Sequence, residues 1–160
     1  MPAISTSPLL GVNLSQVDTT AQYAPGTLSN CSDGGMAMYV LSSTSAISTY
    51  AAVAIDGNGK ANMLTTTNAA SSPRCGFSQV SIATGAYGWV RLGGAAILVN
   101  LAANCAPNVA LFTTATPGVL DDATVTLGYV MGLVANNTIS NATAVTCIGL
   151  SPHVGRGGNG

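Results

Sequence analysis

The 160-residue chain carries 6% charged residues, against roughly 25% in ordinary soluble domains, and a net charge of −1. With 48% hydrophobic residues and a mean hydropathy of +0.44 it is too apolar for intrinsic disorder, and it has neither a basic face for nucleic acid nor an acidic tract. The uncharged span 92–120 is broken by Asn100, Asn104, Pro107 and Asn108, so no run reaches the ~18–20 apolar residues of a membrane-spanning helix.

Taken in order, residues 1–30 are rich in Ser, Thr, Pro and Gly. Pro2, Pro8 and Pro25 argue against a long helix, leaving an extended arm or an irregular first layer. Arms of this kind add as strands to a neighbour's sheet edge. The opening MPAISTSPLLGVNLSQ lacks the positive and apolar regions of a secretory signal, so synthesis in a cytoplasm is expected.

Residues 31–150 read as a β-rich domain. Asp33-Gly34 is a hairpin-type turn, and Met36–Leu41 is a strand with both faces apolar, hence buried on both sides. Thr49–Ile55, the turn Asp56–Lys60 and Ala61–Thr65 give the clearest hairpin. A polar loop over 65–74 precedes Phe77–Ala83, whose alternation predicts a half-buried strand. The central stretch Gly85–Asp122 holds the only tryptophan, Trp89, and one of two phenylalanines, Phe112. It predicts a strand from Tyr87, a bulge or bend at Gly93-Gly94, continuation of that strand through Leu101, and another strand over Val109–Thr113. Ala123–Val134 alternates, with Val125, Leu127, Tyr129, Met131 and Leu133 on one face. Ala142–Leu150 is the last strand, and residues 151–160 form a flexible tail. The sum is an all-β, compact sandwich or barrel-like domain of about eight or nine short strands with extended ends.

Candidate chemistry is sparse. The single histidine, His153, falls in the expected tail, too loosely held to serve a Ser or Cys nucleophile. Asp121 and Asp122 are sequence neighbours that a strand would point to opposite faces, so they read as turn-ending residues rather than an acid–base pair. Asp56 and Asn58 open like a calcium loop, but Lys60 follows and the chain has no glutamate to close one. Cys31, Cys75, Cys105 and Cys147 lie 30 to 44 residues apart without a CxxC pair, so buried free thiols are expected and zinc is not. No catalytic residue, metal ligand or cofactor site is assigned. Arg91, in an apolar strand, is the one charge of interest: either a buried charge with a partner at an interface, or an edge residue facing solvent. Trp89 reads as a core residue rather than a carbohydrate platform. A surface so poor in charge is weakly protected against association, which favours partner subunits over a neutral polar coat.

Four pieces together resemble the β-rich capsid decoration, or cement, proteins of tailed bacteriophages: Gly85–Val90, Gly93–Val99, Leu111–Asp122 and Leu127–Gly132. Asp33–Leu41 and Val53–Leu64 fit the same style. The resemblance implies a structural virion protein, made in the host cytoplasm, that binds the outer surface of an icosahedral head. Its partners would be the major capsid protein and copies of itself, with a trimer favoured, and without direct nucleic-acid or membrane contact. It implies no catalytic residues and no cofactor. The alternatives are another virion part, such as a head fibre, tail component or adhesin, and a carbohydrate-binding β-sandwich.

Overall fold

A computed structural model of the protein describes residues 11–71, 74–125 and 128–155. In chain order its strands are β1 (Val17–Asp18), β2 (Leu28–Asn30), β3 (Met36–Ser42), β4 (Ala52–Ile55), β5 (Lys60–Met63), β6 (Arg74–Ser78), β7 (Tyr87–Arg91), β8 (Gly94–Leu101), β9 (Leu111–Thr113), β10 (Leu120–Asp121), β11 (Tyr129–Ala135) and β12 (Thr143–Gly155). One single-turn helix, α1 (Thr66–Ala69), lies between β5 and β6. The all-β expectation holds, with twelve strands among the described residues rather than eight or nine.

The pairings close into rings. β7–β3–β5–β4–β6 returns to β7 as a five-strand barrel, with β3 and β5 parallel and the other neighbours antiparallel. A second circuit runs β8–β12–β11–β9–β10 and back to β8, joined to the first where His153 of β12 pairs with Arg74 of β6. Closure removes the open edges that would otherwise template association.

Side-chain alternation then places β4 and β6 between two cores. Met38, Val40, Val53, Ile55, Ala61 and Val90 fill the first barrel with Ile47 and Ile82. On the opposite faces of β4 and β6, Ala52, Ala54, Cys75 and Phe77 join Ile97, Val99, Leu101, Leu111, Leu120 and Val130 in a second core. β4 and β6 are therefore a wall between two cores, which is why their sequences are apolar at successive positions. At Gly76 in that wall there is little room for a side chain: a Cβ would lie 3.0 Å from Val90 and 3.1 Å from Ile55.

The double apolarity of β3 has a different origin. Its outward residues Ala37 and Tyr39 pack with Trp89 of β7, and all three are buried beneath Val12, Leu14 and Cys31. Residues 11–30 thus lie over the protein's own barrel, as the irregular first layer expected as one alternative. β1 pairs with β7, β2 pairs with β3, and Tyr39 exchanges backbone bonds with Gly26 and Thr27. The first ten residues of the expected arm lie outside the described residues.

The Asp56–Lys60 turn is locked by Asp56 Oδ1, which accepts from the amides of Asn58 and Lys60. Gly59 adopts φ +73°, and a Cβ there would strike the backbone of Pro25 and Gly26. Gly59→Ala is expected to destabilise by about 2 kcal/mol, through left-handed strain plus this clash. A denaturant midpoint unchanged from wild type would refute it.

Several local expectations are corrected. Tyr87–Leu101 is not one bulged strand: Gly93-Gly94 is a crossover, and β7 and β8 belong to different rings. The strand expected over Phe77–Ala83 is instead Arg74–Ser78, since Gln79 turns aside to bond both the N–H and the C=O of Leu98 in β8. Part of the loop over 65–74 is α1, nucleated by a reciprocal cap between Thr65 and Asn68. β11 begins at Tyr129, and a register shift at Gly132 (φ +76°) breaks the expected alternation. Val130, Leu133 and Ala135 are buried and Met131 is exposed; Leu127 lies outside the described residues. Finally, β12 runs through Gly155 with Pro152 buried, so residues 151–155 are strand rather than tail; the rest of the expected tail, 156–160, lies outside the described residues.

Candidate interaction site

Arg91 sits at the end of β7 with 7% of its side chain exposed. Its Nη2 donates to Asp33 Oδ2 at 2.5 Å and to the carbonyl of Gly93 at 3.1 Å. Asp33 lies in the β2–β3 turn, where its Oδ1 also accepts the amide of Gly35. The guanidinium beside Asp33 holds its carboxyl below the usual carboxylate range. The Nε of Arg91 is buried without a hydrogen-bond partner among the described residues. Arg91 is therefore a buried charge with a partner, Asp33 of the same chain, and not an edge residue facing solvent. Its charge is answered inside the chain, and it fixes the β7–β8 crossover. At Gly94 (φ +136°) a Cβ would collide with that guanidinium, so the sequence needs glycine there.

Asp121 and Asp122 converge rather than diverge. One oxygen of each lies with Cys105 Sγ in a group whose ligand atoms are all within 4.8 Å of one another. The three satisfy each other and the neighbouring loop. The thiol donates to Asp121 at 3.4 Å, Asp122 Oδ2 accepts the amide of Ala106, and Asp121 Oδ1 accepts the amide of Asp122. Burial pushes the Cys105 thiol up to about 11, which is unfavourable for a metal-binding thiolate. This is a clasp tying the 104–108 turn to β10, arising because the chain leaves strand geometry after Asp121.

The four cysteines are free, and Cys75, Cys105 and Cys147 are buried while Cys31 is partly exposed. Burial pushes Cys75 and Cys147 up to about 12. A thiol reagent is expected to label at most Cys31 in the native protein and all four after denaturation. Rapid native labelling of two or more would contradict this packing.

An apolar trough of about 400 Å³ lies open to solvent between the two rings. β2 and β3 contribute Leu28, Met36 and Met38; β6 contributes Arg74 and Cys75; β12 contributes Pro152 and His153, with Leu92 just past β7. Leu28 is 50% exposed, a large solvent-facing aliphatic group at the trough. Val17, Tyr23, Val109, Met131 and Ile148 are the other large hydrophobics left exposed among the described residues. Sequence reasoning missed the trough because its walls come from five separate segments and none of its residues forms a motif. It also placed His153 in a loose tail, whereas β12 holds it opposite Arg74 on one side and Met131 on the other.

No helix among the described residues is long and apolar enough to cross a membrane. Comparison with protein-family models, curated proteins and solved structures finds no match, so no capsid decoration protein is identified by these routes.

Proposed function

We propose that this is a structural virion protein that binds the outer surface of an icosahedral phage head and stabilises it by bridging major capsid subunits. The observation that carries the reading is the combination of a closed barrel and its companion strands with a charge-poor exterior that leaves an apolar trough and, among the described residues, six large hydrophobics in solvent. Exposed apolar area of this kind marks interaction surfaces. The sequence resemblance supplies the kind of partner. Stabilisation would be physical, through many modest contacts repeated by symmetry. The carbohydrate-binding alternative is less well supported: Trp89 is 1% exposed and Tyr39 is fully buried, so the two central rings of the main aromatic cluster offer no platform, and Tyr23 at its edge is a single exposed ring.

The test is to mix the purified protein with expanded, undecorated heads and measure co-sedimentation and shell stability. Saturable binding at a fixed ratio to capsid subunits, with raised resistance to heat or chelation, is the expected result. Absence of binding at stoichiometric excess would overturn the reading, and binding to tails alone would favour another virion role. Sizing should give an oligomer, with a trimer expected.

A further inference from the structure

We propose that the trough between the two rings is a docking site for an extended peptide segment of a partner protein, carrying aliphatic side chains and one carboxylate. The inference rests on the reading that this protein acts by docking to another protein, and it names the chemistry that the site selects.

Charge complementarity is the argument. The chain has only four Lys and Arg residues, and one of them, Arg74, lies at this otherwise apolar trough with His153 paired beside it. The Arg74 guanidinium approaches the sulfur of Met38 at 3.8 Å and meets no carboxylate among the described residues. The chain's own acids are engaged elsewhere. Asp18 accepts from Tyr39, Asp33 from Arg91, Asp56 from its own turn, and Asp121 and Asp122 from the Cys105 loop. An anion for Arg74 would therefore come from outside this set. Apolar walls beside an exposed cation select a ligand with aliphatic groups and an acid in close succession. The trough is open to solvent along one side. That suits side chains presented by a peptide, whereas a small amphiphile gains affinity by being mostly enclosed.

The probe is a set of terminally blocked hexapeptides in which two leucines flank one aspartate at different spacings. They are titrated into the full chain labelled at methionine methyl groups. At least one spacing is expected to shift the Met36 and Met38 signals saturably while Met131, outside the trough, stays fixed. Replacing the peptide aspartate with asparagine, or making Arg74→Ala in the protein, should weaken binding by roughly fivefold, the value of one partly exposed charged contact. The two changes should not add, because they remove the same contact. Leu28→Ser should weaken all acidic and neutral peptides alike. The inference fails if no spacing shifts Met36 and Met38 at millimolar peptide, or if Arg74→Ala binds the acidic peptides unchanged. It also fails if octanoate binds the trough and the peptides do not compete. Head binding by the wild-type protein is scored separately, so loss of the trough assignment leaves the capsid reading standing, and the reverse.

Discussion

Trp89→Ala is expected to lower stability by about 4 kcal/mol, the range found when a large buried aromatic is truncated. The indole is held within an aromatic cluster. Tyr39 meets it at a ring separation of 5.1 Å and Tyr23 at 5.4 Å, while Tyr39 also stacks on Tyr87 at 5.9 Å. The hydroxyl of Tyr39 donates to Asp18 Oδ2 at 2.6 Å and accepts from the amide of Gln22, so the aromatic cluster and the N-terminal segment are one unit. Burial, helped by the Asp18 carboxylate, pushes the Tyr39 phenol up to about 12. Loss of the indole should therefore do more than leave a cavity. Residues 11–30 should become a protease target before the barrels unfold. Roughly 10 °C should be lost from Tm, at about 2–4 °C per kcal/mol for a chain of this size. Trp89→Phe should recover most of it. If Trp89→Ala melts normally but is clipped early, the segment and barrel are less coupled than these contacts indicate. Normal melting together with normal protease resistance would refute the assignment.

The second large effect is expected at the Arg91–Asp33 pair. Asp33→Ala leaves a buried guanidinium with only the Gly93 carbonyl, a situation that costs about 3–5 kcal/mol when both partners are deeply buried. Asp33 keeps 34% of its side chain exposed, and screening there brings the expected loss down to about 2 kcal/mol. Arg91→Met in the same background should restore much of it, because the uncompensated charge goes too. The pair also sets an acid limb. The folded-state pKa of Asp33 lies below its ordinary value of 3.8, so the pair's contribution is fully present above that value. It is lost as pH falls through the lower, folded-state value. Asp33→Asn should therefore be less stable than wild type at neutral pH, with the difference shrinking below about pH 4. Denaturant melts at pH 7 and pH 3 read this directly. A difference that is the same at both pH values would show that the Asp33 charge does not matter.

How much of this was legible beforehand depended on whether the signal was local. The Asp56–Lys60 hairpin was read correctly because an Asx side chain and a left-handed glycine dictate the turn within five residues. Met36–Leu41 was rightly read as buried on both faces. What covers its outer face could not be read, because Tyr39 and Trp89 are hidden by residues up to 77 positions away in the chain. Gly93-Gly94 looked like a bulge because sequence alone gives no partner strand. Only the long-range pairings show β7 and β8 parting into separate rings. The expected tail at 151–155 failed for the same reason. A Ser-Pro-His run has little local strand preference, and its conformation comes from pairing with β11 and β6.

The sequence by itself determined the fold class, the solvent-poor charge balance, the turns, and the identity of Trp89 as a core residue. These follow from composition, period-two alternation and backbone restrictions that act over a few residues. Only the tertiary structure decided that Arg91 is paired internally, that Asp121 and Asp122 close on Cys105, and that the N-terminal segment covers its own barrel. The trough holding Arg74 belongs with these, because its walls meet only when the two rings are joined. In each case the deciding contact spans a large sequence separation, and its free energy depends on which surfaces the closed rings bring together rather than on any residue's own preference.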